Sequence, residues 1–287
     1  MNTTQLLLLG LSFLALMALA PLVARLLCRA FGLRRPLLPE RPAAGYAAVG
    51  LTPLLVAVVF YGALMGSGAS LGATHAPVFL LVALACGLPG LLEDVVNRPR
   101  SWPSVLAWMA APAAGIGASY LLHRGAPALP AYDEPVDAGL IALGSLAVWT
   151  LNGRPGRAFF SFALLFLLPA LVATGLGLRY ARMTAPTALP DDLLWNTPPA
   201  VLLGPVVLAA ALEWWPEARG RSQLGSIGAR MLGGLGGLAA ALALPLWAKL
   251  ALLGVLLALT LLRRERIEAA AQKNSWLRAL DRAVGVR

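Results

Sequence analysis

Three short segments hold the side chains with chemistry to offer, and each lies at the end of an apolar block. The first is Gly90-Leu91-Leu92-Glu93-Asp94-Val95-Val96-Asn97, where two adjacent carboxylates close a hydrophobic run. The second is Leu151-Asn152-Gly153-Arg154-Pro155-Gly156-Arg157-Ala158, an amide followed by two arginines in a Pro/Gly frame. The third is Leu224-Gly225-Ser226-Ile227-Gly228-Ala229-Arg230-Met231-Leu232-Gly233-Gly234, a hydroxyl among glycines. Carboxylate oxygens are donors that hard divalent cations take. A guanidinium forks onto phosphate oxygens and stays charged when partly desolvated. Each segment also has a plainer reading. Glu93-Asp94 can be a solvated helix end, the glycines a packing face that lets helices approach closely, and the arginines inner-leaflet anchors.

The elements that must position these segments are membrane spans. Hydrophobic residues make up 59% of the 287, charged residues 13%, and the mean hydropathy is +0.76, far from the globular balance. Apolar blocks of membrane-crossing length recur near 4–26, 43–66, 76–92, 104–122, 136–151, 158–178, 198–213, 230–246 and 247–262. The expected fold is therefore an all-α polytopic bundle of about nine transmembrane helices over 1–262. Pro198, Pro199 and Pro205 interrupt the seventh block. Pro245-Leu246-Trp247 leaves open whether 230–262 forms two spans or one kinked helix.

Charge sets the expected orientation. Of the 23 Lys and Arg, only Arg124, Arg179, Arg182 and Lys249 fall in or beside the loops on one side; the other nineteen lie on the side that carries all three segments. The positive-inside rule makes that majority side cytoplasmic, with the N-terminus outside and the C-terminus inside. The net charge of +10 is thus a topology signal and a means of holding anionic headgroups, since it is divided among short loops rather than gathered in a basic domain. Nucleic acid is excluded as a partner on that ground.

Other features are quieter. Met-Asn-Thr-Thr-Gln carries no Lys or Arg, so the first block reads as an uncleaved helix rather than a signal peptide. Cys28 and Cys86 have no metal-site spacing and read as packing residues. No internal repeat is evident, and no ionisable residue stands out mid-span, which weighs against a transporter. Residues 263–287 read as a basic amphipathic cytoplasmic tail, with Ile267, Ala271, Leu277, Leu280 and Val284 near one stripe.

Together and in this order, the three segments resemble the signature loops of the polyprenyl-phosphate sugar-1-phosphate transferases. That superfamily includes phospho-MurNAc-pentapeptide transferase and the UDP-GlcNAc:undecaprenyl-phosphate transferase (glycosyltransferase family 4). The resemblance covers about residues 25–245 in backbone pattern. It implies an inner-membrane protein of cell-envelope and peptidoglycan biosynthesis, in which carboxylates hold Mg²⁺ against the diphosphate of a nucleotide sugar. The family's Asp-Asp-x-x-Lys loop reads Glu93-Asp94-Val95-Val96-Asn97 here, so both carboxylates remain and the lysine is Asn97. Its Asn-x-x-Asp loop falls on Trp149 and Asn152, and its Gly-Asp-x-Gly-Ser stretch places Ser226 where an aspartate belongs. Its histidine-bearing inner loop has no counterpart, because His75 and His123 both fall on the expected outer side.

Two outcomes follow from the resemblance. In one, the chain keeps the fold without the catalysis and needs no cofactor. Glu93, Asp94, Asn97, Asn152 and Ser226 are then degenerate catalytic positions, while Arg98, Arg154, Arg157, Arg219 and Arg221 hold the phosphate of a polyprenyl phosphate or another anionic lipid. Such a protein would also suit an envelope-assembly complex, with a protein partner or a second copy. In the other, Glu93 and Asp94 ligate Mg²⁺ and the protein is an active transferase moving a sugar-1-phosphate from a UDP-sugar to undecaprenyl phosphate. The topology itself is testable: cysteines placed at Ser101 and Ser70 should label from opposite sides of the membrane in intact cells. Labelling of both from outside would overturn the orientation.

Overall fold

The computed structural model describes residues 16–24, 26–27, 50–66, 75–96, 102–125, 133–152, 157–184, 198–218 and 224–262, with 266, 269 and 273–275 beyond. Every element among them is helical. They are α1 (16–24), α2 (Leu51–Gly66), α3 (Ala76–Val96), α4 (Trp102–Gly125), α5 (Asp133–Leu151), α6 (Arg157–Thr184), α7 (Pro198–Ala218), α8 (Gly225–Ala243) and α9 (Leu246–Leu261). Nine helices among the described residues match the nine apolar blocks. Five of them, α3, α4, α5, α6 and α8, are long and apolar enough to cross a membrane, and α2 and α9 are shorter apolar helices. The chain is thus a membrane protein by the length and composition of its helices. The tail's amphipathic stripe lies outside the described residues.

Side-chain contacts fix the run of the chain. The end of α3 and the end of α5 meet the start of α8, through Asp94 and Asn152 respectively. The start of α2 meets the end of α7 through Thr52 and Glu213, and Phe159 at the start of α6 stacks near Trp214 of α7. At the opposite end His123 of α4 and Lys249 of α9 both reach Asp137 in the first turns of α5. Helices α2 to α9 therefore alternate in direction along the bundle.

Helix α8 is the axis of the bundle. Of its length, 89% is buried, against 17% for the stretch Arg157–Leu176 of α6. Its glycines explain how so many neighbours reach it. A Cβ on Gly144 of α5 would lie 2.5 Å from the carbonyl oxygen of Gly233, and a Cβ on Gly233 or Gly237 would collide with the backbone at Gly144 or Leu140. The two backbones are in contact, which only residues without side chains permit. Among the glycines, the packing reading is the right one at these positions. A five-residue π-turn, Ala163–Leu167, widens α6 just where Phe166 inserts against Gly236 and Gly144.

Several boundaries differ from the sequence reading, each for a physical reason. Helix α3 runs on to Val96, so Glu93 and Asp94 stand in its last two turns rather than in a loop. Helix α8 starts at Gly225, five residues before Arg230, because its first turn is capped from outside. Helix α7 extends through Pro205 to Ala218; Pro198 and Pro199 open it, where a missing N–H costs nothing. Residues 230–262 form two helices, since Leu244 and Pro245 are extended (ψ 144° and 157°) and break the ladder completely. Ionisable side chains do enter the spans: Arg230, Asp137 and Lys249 are all buried.

Close contact at the α5–α8 crossing makes a specific demand. Gly233→Ala should destabilise the protein by about 2 kcal/mol through forced backbone separation. Gly62→Ala, where an added Cβ meets nothing within 4 Å, should be neutral or slightly stabilising. Unfolding curves in mixed micelles would separate the two.

Candidate functional site

The first turn of α8 is the meeting point. Helix N-termini leave backbone N–H groups without partners, and a buried N-terminus needs outside acceptors. Leu224, at the N-cap, offers no capping side chain. Asp94 supplies the cap from α3: the N–H groups of Ser226 and Ile227 donate to its Oδ1 and Oδ2, each at 3.1 Å. A carboxylate is well suited there, because the positive end of the helix dipole offsets its charge. Gly225 adopts φ 64°, a left-handed conformation that glycine takes freely, and this turns the chain sharply into the helix.

Neighbouring helices hold the same few residues. Asn152 Nδ2 donates to the carbonyl of Gly225 at 2.8 Å, and Trp149 Nε1 donates to Ser226 Oγ at 3.3 Å. The N–H of Leu224 donates to Glu217 Oε1 at 3.0 Å, and its carbonyl accepts from the N–H of Gly50 at 2.7 Å. One turn further on, Arg230 Nε donates to Glu93 Oε2 at 3.1 Å, with its guanidinium 4.3 Å from the centroid of the Trp149 ring. Trp108 meets that ring edge-on at 6.1 Å. Acidic and basic groups are thus paired at close range in a buried setting, where each must have a partner.

The structure brings together Glu93, Asp94, Asn152 and Ser226 from three separate helices. Of the arginines, Arg157 opens α6 at this same end. Asn97, Arg98, Arg154, Arg219 and Arg221 lie outside the described residues. Both histidines stand at the far end, His75 in the turn before α3 and His123 beside Asp137.

The donors present do not fit Mg²⁺. Both oxygens of Asp94 already accept backbone N–H groups, and Glu93 is held by a guanidinium whose positive charge would oppose a cation beside it. Among the described residues, no three His, Cys, Asp or Glu side chains group as a metal site. An octahedral ion needs several oxygens at once, and among the described residues these two carboxylates are already committed to N–H groups and a guanidinium.

Three participants escaped the sequence reading. Glu213 and Glu217 stand one turn apart on α7 and are both buried; their i,i+4 spacing was the available signal, hidden because the apolar block stops at 213. Arg230 is the third, a lone cation inside a Gly/Leu/Met run and therefore placeable as a buried charge in search of an acid. Neither a family model nor a curated protein matches this chain.

The capping role has a measurable consequence. Asp94→Ala should destabilise the fold by about 2 kcal/mol, the cost of two buried N–H groups losing a charged acceptor. Adding Mg²⁺ or EDTA to the wild type should leave the melting temperature where it is. A melting temperature that rises with Mg²⁺ and no longer does so in Asp94→Ala would make Asp94 a metal ligand instead.

Proposed function

We propose that this protein is a non-catalytic relative of the polyprenyl-phosphate sugar-1-phosphate transferases, lodged in the plasma membrane and holding the phosphate of a polyprenyl phosphate or similar anionic lipid. The Glu93 end of the bundle faces the cytoplasm in this reading, in keeping with the nineteen Lys and Arg on that side of the sequence. The observation that carries it is the double engagement of the acidic pair. Asp94 caps α8 and Glu93 pairs with Arg230, so the side chains that resemble a metal-binding motif serve as structural ties.

Charge supports the lipid side of the proposal. The family pattern has four acidic positions, and two remain, both engaged. Arg98 follows Asp94 by four residues, Arg154 and Arg157 follow Asn152 closely, and Arg219 and Arg221 precede Leu224 by five and three. These cations stand within five residues of Asp94, Asn152 or Leu224 along the chain, and that nearness in sequence is what supports a shared role. Forked guanidinium contacts to phosphate are the strong, charge-assisted kind. A membrane subunit of an envelope-assembly complex, in which the bound lipid is presented to a partner protein, is compatible with the same site.

The test has two arms. Purified protein with a UDP-sugar, undecaprenyl phosphate and Mg²⁺ should release no UMP. Release that disappears in Asp94→Asn would establish the active-transferase reading in its place. Changing Arg154 and Arg157 together to Ala should weaken polyprenyl-phosphate binding by about 2 kcal/mol or more. Unchanged affinity in a folded double variant would reduce those arginines to membrane anchors.

A further inference from the structure

Arg230 is buried further than its ion pair explains. It is 1% exposed, and it makes one hydrogen bond, from Nε to Glu93. Its Nη1 and Nη2 have no hydrogen-bond partner among the described residues. A guanidinium carries five N–H donors, and leaving four of them unsatisfied in a buried site is costly. Burial beside Glu93 could be achieved with one donor; the second edge of the fork is surplus to that pairing.

Its surroundings hold that free edge in place. Trp149 lies against the guanidinium face at 4.3 Å, and Trp149 is itself fixed by its hydrogen bond to Ser226 and by Trp108. Glu93 occupies the Nε side. The Nη1–Nη2 edge is therefore the part of the side chain left to meet something else, and two parallel N–H groups at that spacing match two oxygens of one phosphate. Asn152, which is buried and held against Gly225, keeps its Oδ1 without a partner among the described residues. Asp94 does not repel a phosphate strongly, since its charge is met by the N–H groups that open α8.

We infer that Arg230 is the anion receptor of this site, taking a phosphate-class oxyanion on Nη1 and Nη2 while Glu93 and Trp149 hold the guanidinium in position. The inference rests on the proposed phosphate-binding function but moves its centre from the loop arginines to a side chain within a span. Glu93 is then a brake as well as a positioner, because its negative charge lowers the affinity of the cation beside it.

Full-length protein in nanodiscs of zwitterionic lipid provides the test, with inorganic phosphate and undecaprenyl phosphate as separate probes and ¹⁵N-arginine to ³¹P dipolar contact as readout. The wild type should show an arginine–phosphate contact with at least one probe. Arg230→Lys, which can still pair with Glu93 but lacks the fork, should lose the contact and bind at least tenfold more weakly. Glu93→Gln should bind at least threefold more tightly, and if Arg230→Lys does not fold, the same gain must persist when Glu93→Gln is combined with the Arg154/Arg157 double variant, where those loop arginines cannot supply it. A stronger response to undecaprenyl phosphate assigns a lipid headgroup, and a stronger response to inorganic phosphate assigns a free anion. Wild-type affinity in Arg230→Lys, or no gain in Glu93→Gln, would overturn the role of Arg230. If the Arg154/Arg157 double variant then still loses lipid binding, the proposed function survives without it; failure of the wild type to bind either probe would remove both.

Discussion

The fold turns on one carboxylate. Asp94 closes the N-terminus of α8, and α8 is the helix that α2, α3, α5, α6 and α7 share. Buried as it is, an uncapped helix start would leave N–H groups with neither water nor protein to accept them. The adjacent Glu93 would ordinarily repel Asp94, yet their partners separate the two charges. One carboxylate faces a backbone terminus and the other a guanidinium. The same neighbourhood gathers Glu217, Asn152 and Gly50 onto the backbone of Leu224 and Gly225, so the start of α8 is tied from four directions.

A second polar knot closes the opposite end. Asp137 receives Lys249 Nζ at 2.7 Å on one oxygen and lies 3.3 Å from His123 Nε2 on the other. It binds α9, much of whose remaining surface faces outward through Trp247, Leu250, Val255, Leu257 and Leu261, to the first turns of α5 and the last of α4. Between the two knots the contacts among the described residues are mostly apolar or glycine-to-backbone, with Tyr61 Oη donating to the Leu202 carbonyl at 3.0 Å. Polar pairs fix register at the ends, while small residues and close packing hold the middle, a division that suits a solvent with no hydrophobic drive between helices.

Much of this was legible from the residues. Apolar length located nine helices, and the glycine run announced a tightly packed span. Charge put the acidic pair, Asn152 and Ser226 on one side of the membrane, and the structure brings them together at the start of α8. What stayed hidden was partnership. Nothing local to Glu93-Asp94 says that one side chain will cap a helix more than a hundred residues away and the other meet Arg230. The last turn of α7 was obscured because the apolar block stops at Glu213, while Pro198 and Pro199 stand where a helix tolerates them. Arg230 looked like a span end because sequence windows place boundaries at charges, whereas a buried counter-ion lets α8 begin five residues before it.

Helix α8 also bears on how the protein enters its membrane. Its mean hydropathy is 1.3, against 2.2 for the stretch Arg157–Leu176, and it carries Arg230 within its second turn. Of the five helices long and apolar enough to cross, α8 is among the less apolar, and a glycine-rich helix with an unpaired arginine gains less from lipid than one without that charge. Its acceptor on Glu93 and its cap on Asp94 are both synthesised more than a hundred residues earlier. Helix α3 must therefore already be resident when α8 emerges, and insertion of the central helix becomes a docking event onto the finished part of the chain rather than an independent partitioning step.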